Sequence, residues 1–219
     1  MIKRLVDYFI PHVQEGICMA FSGGVDSSVL LAAACKAVKA SGLDRPVLAV
    51  TFATRLHPHG DTAEAAKLAK TLGATHKIIE IDEFSDTRIS ENPRNRCYLC
   101  KSLLFQSLLS AGAEEGYTFF CEGSNLDDTK VYRPGIQAVR ELNVSSPLIE
   151  CELTKAMIRE IAAAWGLAVA TKPSTPCMAT RLPYDTHFDY KLLDKINAAL
   201  EQLLEDGTID TIMDKYIEE

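Results

Sequence analysis

No stretch of this 219-residue chain is apolar for long enough to cross a bilayer, which argues against a protein anchored by membrane-spanning helices. Met1 to Ile10 has no signal-like pattern. With Lys3, Arg4 and Asp7 it reads as a surface amphipathic helix, so the expectation is a soluble, cytoplasmic protein with no membrane partner. A basic excess is missing as well, the formal charge being -7. Proteins that grip a nucleic-acid backbone carry a basic stripe, so no nucleic-acid partner is expected. Paired cysteines are also lacking: there are seven, an odd number, several in apolar segments, which points to reduced thiols. There is no internal repeat and no low-complexity segment. The length suits one α/β domain with a sizeable core and at most a small appendage.

The Gly-Lys-Ser/Thr ending of a Walker loop is absent too, against a P-loop GTPase or kinase. What stands instead is Phe21-Ser22-Gly23-Gly24-Val25-Asp26-Ser27-Ser28, where an apolar strand (Ile17 to Phe21) hands over to a helix (Asp26 to Lys39). A glycine pair at such a turn lets the backbone approach an anion, and the first helical N–H groups and the helix dipole favour negative charge. Ser22, Ser27 and Ser28 add hydroxyl donors, while Asp26 adds a carboxylate able to hold a metal ion bridging phosphates. A plain tight turn with an N-capping Asp is the competing reading. The stretch resembles the SGGxDS signature of the PP-loop ATP pyrophosphatases, which cleave ATP between its α and β phosphates and adenylate a substrate oxygen. That resemblance implies ATP and Mg2+.

The rest of the chain alternates strand and helix signals. Pro46 to Phe52 is a strand-length apolar run; Asp61 to Leu72 reads as a helix, with Asp61 and Glu64 forming a capping-box-like start and Gly73 a stop. Thr75 to Ile81 reads as a strand, Tyr98 to Ala111 as a helix, Thr118 to Glu122 as a strand, Thr154 to Trp165 as a helix and Ala168 to Thr171 as a short extended piece. The order predicts an α/β fold: a parallel sheet with helices on both faces and ligands at the carboxyl ends of the strands. Two polar, proline-bearing loops, Ser85 to Arg96 and Lys172 to His187, each adjoin a cysteine.

Cys97 and Cys100 have the spacing that lets two thiolates reach one metal centre or form a redox pair. Cys177 lies far off in sequence, yet normal winding of the sheet can bring its loop and the one before Cys97 to the crevice near Gly23 and Gly24. Four segments then become specific: Asn92 to Lys101, Glu122-Gly123-Ser124-Asn125-Leu126-Asp127-Asp128, Tyr132-Arg133-Pro134-Gly135, and Lys172-Pro173 through Cys177 to Tyr184. From Phe21 to Tyr184 the chain resembles the ATP-dependent sacrificial sulfur transferases of the LarE family. The resemblance implies adenylation of a carboxylate on a pyridinium mononucleotide, a small-molecule nucleotide substrate, and its conversion to a thiocarboxylate in synthesis of the nickel-pincer nucleotide cofactor. Some members sacrifice the sulfur of one cysteine, here Cys177. Others hold a [4Fe-4S] cluster on three, here Cys97, Cys100 and Cys177, and the presence of all three favours that variant.

Three thiolates leave one iron open, whereas structural zinc usually takes four protein ligands, for which His187 and Cys121 have no suitable spacing. Cys18, Cys35 and Cys121 read as small core residues, and Cys151 has no evident partner. Arg133 and Arg181 are the candidates to grip substrate or ATP phosphate, with a structural ion pair as the alternative. Asp127 and Asp128 can serve magnesium or substrate, or cap a helix after Asn125, and Glu122 is a third carboxylate. His57 and His59 read as parts of an exposed loop.

The chain departs from the family at Asp185, where glycine is expected, and then offers two helices, Lys191 to Leu204 and Ile209 to Ile217. The tail Ile196 to Tyr216 is weakly similar to the terminal helices of amino-acid-binding receptors. The reading is therefore a PP-loop domain over 1–184 and a short helical extension over 185–219, with a homo-oligomer left open. The competing functions are an ATP-dependent amide-forming ligase of the NAD or GMP synthetase kind and a non-catalytic nucleotide or iron-sulfur binding module.

Overall fold

Alternation of side chains across four short strands decides the layering. The computed structural model describes residues 1–56, 61–173, 176–209 and 211–212. Strands β1 (Ile17–Ala20), β2 (Leu48–Ala53), β3 (Thr75–Glu80) and β4 (Phe119–Cys121) form one sheet in the order β3-β2-β1-β4, and every pair is parallel. Cys18 pairs with Leu48 on one side and Phe120 on the other. With a side-chain period of two, Ile17, Met19 and Phe21 enter one core while Cys18, Leu48 and Val50 enter the opposite one.

Helices cover both faces, as parallel strands require. On the first face lie α1 (Ile2–Phe9), through buried Leu5 and Phe9, α2 (Val25–Ser41) and α3 (Asp61–Leu72), through Ala65 and Ala69. The four-residue α4 (Thr87–Ser90) leads into α5 (Arg96–Glu114), which covers the second face together with α6 (Gly135–Glu141). Helices α7 (Pro147–Glu150) and α8 (Lys155–Ala164) return to the first face.

A third, smaller cluster lies beyond the sheet. There Leu193 of α9 (Tyr190–Glu205) and Phe188 just before it pack with Met178, Leu56, Ile89 and Leu99. Full burial of such side chains contributes roughly 1.5–3 kcal/mol each. That is enough to dock the 176–188 segment against the start of α5.

Several expectations change in detail. The helix expected from Tyr98 begins at Arg96, so Cys97 and Cys100 lie on α5 itself. Ala168–Thr171 is a 3₁₀ turn and not a strand. Arg159 donates to the carbonyls of Ala170 and Lys172, holding the segment against α8. The outer edge of β4 is meanwhile taken by Ser145, whose N–H reaches Phe120 O at 2.9 Å while Glu122 N–H donates to Ser145 O at 3.0 Å. The side chain of Asp61 and the pair His57 and His59 lie outside the described residues, as do residues 210 and 213–217 of the helix expected over 209–217. Asp185 has φ +61°, a left-handed conformation that glycine adopts freely and Asp tolerates better than most residues.

Candidate active site

The turn between β1 and α2 is held by its own hydroxyls. Gly23 has φ +71°, and a Cβ there would stand 3.2 Å from Ala65 Cβ, so the turn sits tight against α3. Gly24 precedes α2 in an extended conformation. Ser28 Oγ donates to Gly24 O at 2.8 Å, Ser27 Oγ to the same oxygen at 3.1 Å, and Ser22 Oγ accepts from Gly24 N–H at 3.3 Å. Behind the turn, Thr51 Oγ1 donates to Phe21 O at 2.6 Å. Its single proton being used there, the contact to His76 Nε2 at 2.8 Å must be donated by the imidazole, which fixes a proton on Nε2.

This turn opens into a cavity of about 490 Å³ at the carboxyl ends of the strands. Ser22, Gly24, Asp26 and Ser27 line it, while Gly23 and Ser28 shape the turn from behind. Phe52, Leu104 and Phe105 supply an apolar wall; Lys101, Arg133, Lys155 and Lys172 bring positive charge. Gly123, after β4, also lines the cavity, and a Cβ there would come within 3.2 Å of Ser27 N.

The Asp26 carboxyl faces two different environments. Its Oδ2 lies 2.5 Å from Lys155 Nζ, whereas its Oδ1 is buried with no hydrogen-bond partner. Burial pushes the carboxyl above its usual range, and Lys155 pulls it back. A buried carboxylate oxygen with a vacant lone pair suits a hard divalent cation such as Mg2+. Glu122 differs in being fully engaged: it accepts from Ser124 N–H and Oγ, from Ser146 Oγ at 2.8 Å and from Lys101 Nζ at 3.2 Å.

The carboxylates after Asn125 divide the two roles the sequence offered them. Asn125 and Asp128 form a capping box on the 3₁₀ helix Leu126–Lys130, and Asp128 Oδ1 pairs with Arg133 at 3.1 Å, both residues lining the cavity. Asp127 does not line it. Its Oδ2 accepts from Lys155 N–H at 2.8 Å and its Oδ1 pairs with Lys130, so Asp127 fixes the start of α8. Arg181 is likewise outside the cavity, because the 3₁₀ helix Met178–Arg181 turns Met178 and Ala179 inward and leaves Arg181 exposed.

Cys100 and Cys177 pack against the third hydrophobic cluster, and Cys97 stands just before Cys100 on α5. Cys97 is exposed on the first turn of α5, Cys100 is half-buried one turn on, and half-buried Cys177 precedes the Met178–Arg181 turn. Burial pushes the Cys100 thiol up to about 12, with Glu83, Cys177 and Cys97 adding to the rise and Arg96 opposing it. Burial raises Cys177 as well, opposed by the Ala179 N–H and Arg96. Arg96 is 3% exposed and donates to Asn92 Oδ1, to Ala179 O at 3.1 Å and toward Cys97 Sγ at 3.7 Å. Asn92, fully buried, donates to Pro183 O at 2.7 Å and Leu182 O at 3.3 Å. Asn92 and Arg96 thus fasten the Cys177 segment to the helix carrying Cys97 and Cys100. Among the described residues no group of three or more His, Cys, Asp or Glu side chains is arranged to hold a metal ion.

Sequence reasoning gave no role to Lys155, Lys101, Lys172 and Asn92 in these sites. Lys101 adjoins the Cys97/Cys100 motif and Lys172 opens the Cys177 segment, so both stood inside motifs already singled out. For Lys155, 129 residues from Asp26, nothing local gave a signal.

Comparison with known proteins agrees with this geometry. The NAD synthase family model matches residues 1–99. An uncharacterized protein of Synechocystis is 33% identical over 181 residues, 83% of this chain and 66% of the relative. One of Methanocaldococcus jannaschii is 30% identical, over 86% of this chain and 69% of the relative. The pyridinium-3,5-bisthiocarboxylic acid mononucleotide synthase of Lactiplantibacillus plantarum is 29% identical, over 86% and 67% respectively. The chain belongs to the LarE family of PP-loop proteins. It spans about two thirds of the length of these relatives. Among solved structures, the NMN synthetase of Francisella tularensis superposes with a TM-score of 0.62 at 16% identity, covering 92% of this chain and 84% of that one. The NH3-dependent NAD synthetase of Campylobacter jejuni gives 0.56 at 18%, covering 95% and 85%. At those identities the likeness concerns the fold: a parallel sheet with helices around a PP-loop turn.

Proposed function

We propose that this protein is an ATP-dependent sulfur transferase that adenylates a carboxylate of a small nucleotide substrate and replaces one of its oxygens with sulfur, in synthesis of a nickel-pincer nucleotide cofactor. The observation that carries the reading is the joining of two sites by one segment: Lys172 and Pro173 line the nucleotide cavity, and Cys177, four residues beyond Pro173, packs with Cys100 against one hydrophobic cluster. The L. plantarum relative, named for a bisthiocarboxylic acid product, supports the choice of chemistry.

In this reading the ATP phosphates lie at the N-terminus of α2 against Ser22, Gly24 and Ser27, with Gly23 and Ser28 keeping the turn in shape. Asp26 Oδ1 holds Mg2+. Lys155, Arg133 and Lys101 offset the charge that develops as the substrate carboxylate attacks the α phosphorus and pyrophosphate leaves. The acyl carbon then loses AMP as its carbon–oxygen bond breaks and a carbon–sulfur bond forms, with sulfur arriving from the Cys177 side. Arg181, exposed next to that segment, is assigned to the substrate phosphate, and Asp127 to positioning Lys155.

The family resemblance implies a [4Fe-4S] cluster on Cys97, Cys100 and Cys177; among the described residues the three thiols are not grouped to hold a metal ion, so the cluster reading rests on the resemblance, with buried Arg96 as the positive charge beside Cys97. Such a cluster, when bound, supplies an iron free of protein thiol that can carry a transferable sulfur. Seven free cysteines fit a reducing compartment, and we place the reaction in the cytoplasm. No helix among the described residues is long and apolar enough to cross a membrane.

An amide-forming ligase is the second reading. It is favoured by the NAD synthase match, which covers the phosphate turn but stops short of Cys100 and Cys177. Anaerobic reconstitution with iron and sulfide, followed by an absorption spectrum and a pyrophosphate assay, separates the two. Iron uptake that falls in each of Cys97→Ala, Cys100→Ala and Cys177→Ala supports the cluster transferase; pyrophosphate release with no iron in the wild type points to the ligase or to the single-cysteine transferase, which a loss of hydrogen sulfide mass at Cys177 in the used protein separates. Asp26→Ala must abolish magnesium-dependent ATP binding while leaving the circular dichroism unchanged, and wild-type ATP turnover in that variant would refute both readings.

A further inference from the structure

Gly135 opens α6 with a backbone that does not require glycine: it is buried and helical, and its φ is not left-handed. Glycine in a helix is less stable than alanine, because it gives up more backbone freedom on folding, so its presence here calls for a local reason. A Cβ at this position would stand 2.8 Å from Lys101 Cδ and 3.3 Å from Lys101 Cγ, with Cys97 O also at 3.3 Å. The missing methyl is the space through which the Lys101 stem passes on leaving α5.

Two contacts set where that stem leads. Lys101 Nζ lies 3.2 Å from Glu122 Oε2 and 5.5 Å from the centroid of the Phe105 ring, and all three residues line the nucleotide cavity. Glu122 is a fixed partner, its side chain 6% exposed and held by Ser124 and Ser146. An ammonium on a flexible four-carbon stem otherwise samples many positions. Here the stem is confined between α5 and α6 and the head is tied to a held carboxylate, which leaves its remaining N–H donors for an anion in the cavity.

We infer that Gly135 is a positioning residue: by leaving out a Cβ it lets Lys101 hold its ammonium against Glu122 at the cavity wall, where negative charge develops during adenylation. This rests on the carboxylate-adenylating reading given above. Gly135 does not itself line the cavity, and the atoms it makes most room for belong to a flexible side chain. Alanine there therefore displaces Lys101, while Cys97 O gives by only a few tenths of an ångström. The effect falls on rate and not on folding.

The test on the full chain measures pyrophosphate release from MgATP and a pyridinium biscarboxylate mononucleotide, the Tm, and the rate at which formaldehyde and cyanoborohydride methylate Lys101. In Gly135→Ala, kcat falls about 100-fold, the loss that goes with misplacing a catalytic group by about 1 Å. KM for ATP and Tm stay near wild type, and Lys101 is methylated several-fold faster because its amine leaves Glu122. Lys101→Ala is equally slow, and adding Gly135→Ala to it slows the enzyme no further, since no stem is left to displace. Wild-type kcat in Gly135→Ala, unchanged methylation of Lys101, or a further loss in the double variant overturns the inference. A wild type that releases no pyrophosphate removes the adenylating reading, and the methylation rates then decide the placement of Lys101 by themselves.

Discussion

Lys155 Nζ lies 2.5 Å from Asp26 Oδ2, joining the start of α8 to the start of α2 across the mouth of the phosphate turn. The pair keeps one carboxylate oxygen engaged and leaves the other vacant, so the charge of Asp26 is balanced by a residue from the far half of the chain.

Because the two side chains are 35% and 22% exposed, Lys155→Met changes stability by no more than about 1 kcal/mol. Its catalytic effect is larger: loss of one charged donor lowers pyrophosphate release about 100-fold. Lys155 opposes the upward push of burial on Asp26, so the variant's carboxyl rises further and the acid limb of its pH–rate profile moves to higher pH. Steady-state rates across pH check both. A limb that stays in place would show that the titration seen is not that of Asp26.

Gly123→Ala tests the close approach of the β4 exit to α2. The new Cβ would stand 3.2 Å from Ser27 N and 3.3 Å from Ser27 Cα, both main-chain atoms that cannot swing aside. The expected cost is about 1–3 kcal/mol, with weaker ATP binding, measured by thermal melts with and without nucleotide. Equal melting temperatures for variant and wild type would mean that the turn has slack.

Asn92 tests the fastening of the Cys177 segment. Asn92→Ala removes the bonds to Leu182 O, Pro183 O and Arg96, and it replaces a residue at φ +50° with one less tolerant of that conformation. A loss of about 2–4 kcal/mol is expected, together with faster alkylation of Cys177 by iodoacetamide. Unchanged alkylation would place the restraint on Cys177 elsewhere.

His76 gives a stability profile of defined sign. Burial lowers its pKa from 6.5, so the fold favours the neutral ring. Its contribution is fully present above pH 6.5 and is lost as the pH falls through the folded value. In His76→Gln, denaturant midpoints between pH 7 and pH 5 should decline less steeply than in the wild type. An identical slope would assign the loss to other groups.

The readily legible parts were those written in neighbouring residues. Ser22 to Ser28 announced the phosphate turn, and alternating apolar runs announced a parallel sheet, because phosphate loops and strands are local patterns. Ala168–Thr171 misled because its composition suits an edge strand, but Ser145 takes that edge and Arg159 draws the segment's carbonyls toward α8. Asp127 and Arg181 were chosen by chemical type, yet where they point depends on helix turns that sequence spacing does not fix. Asn92 opens a segment the sequence singles out, yet its fastening role shows only once Leu182 and Pro183 lie over it.

The fastening of Arg96 to Ala179 spans 83 residues of chain and sets an order of assembly. A ribosome adding about 5–20 residues per second finishes the Cys97/Cys100 helix several seconds before Cys177 exists. The nascent chain therefore displays two thiols and no third. Only after Phe188 and Leu193 emerge to complete their hydrophobic cluster do Cys100 and Cys177 pack against it together. A cluster of the proposed kind would therefore load only once this segment has folded, and a chain stalled before that point would offer only a two-thiol fragment to passing metal ions.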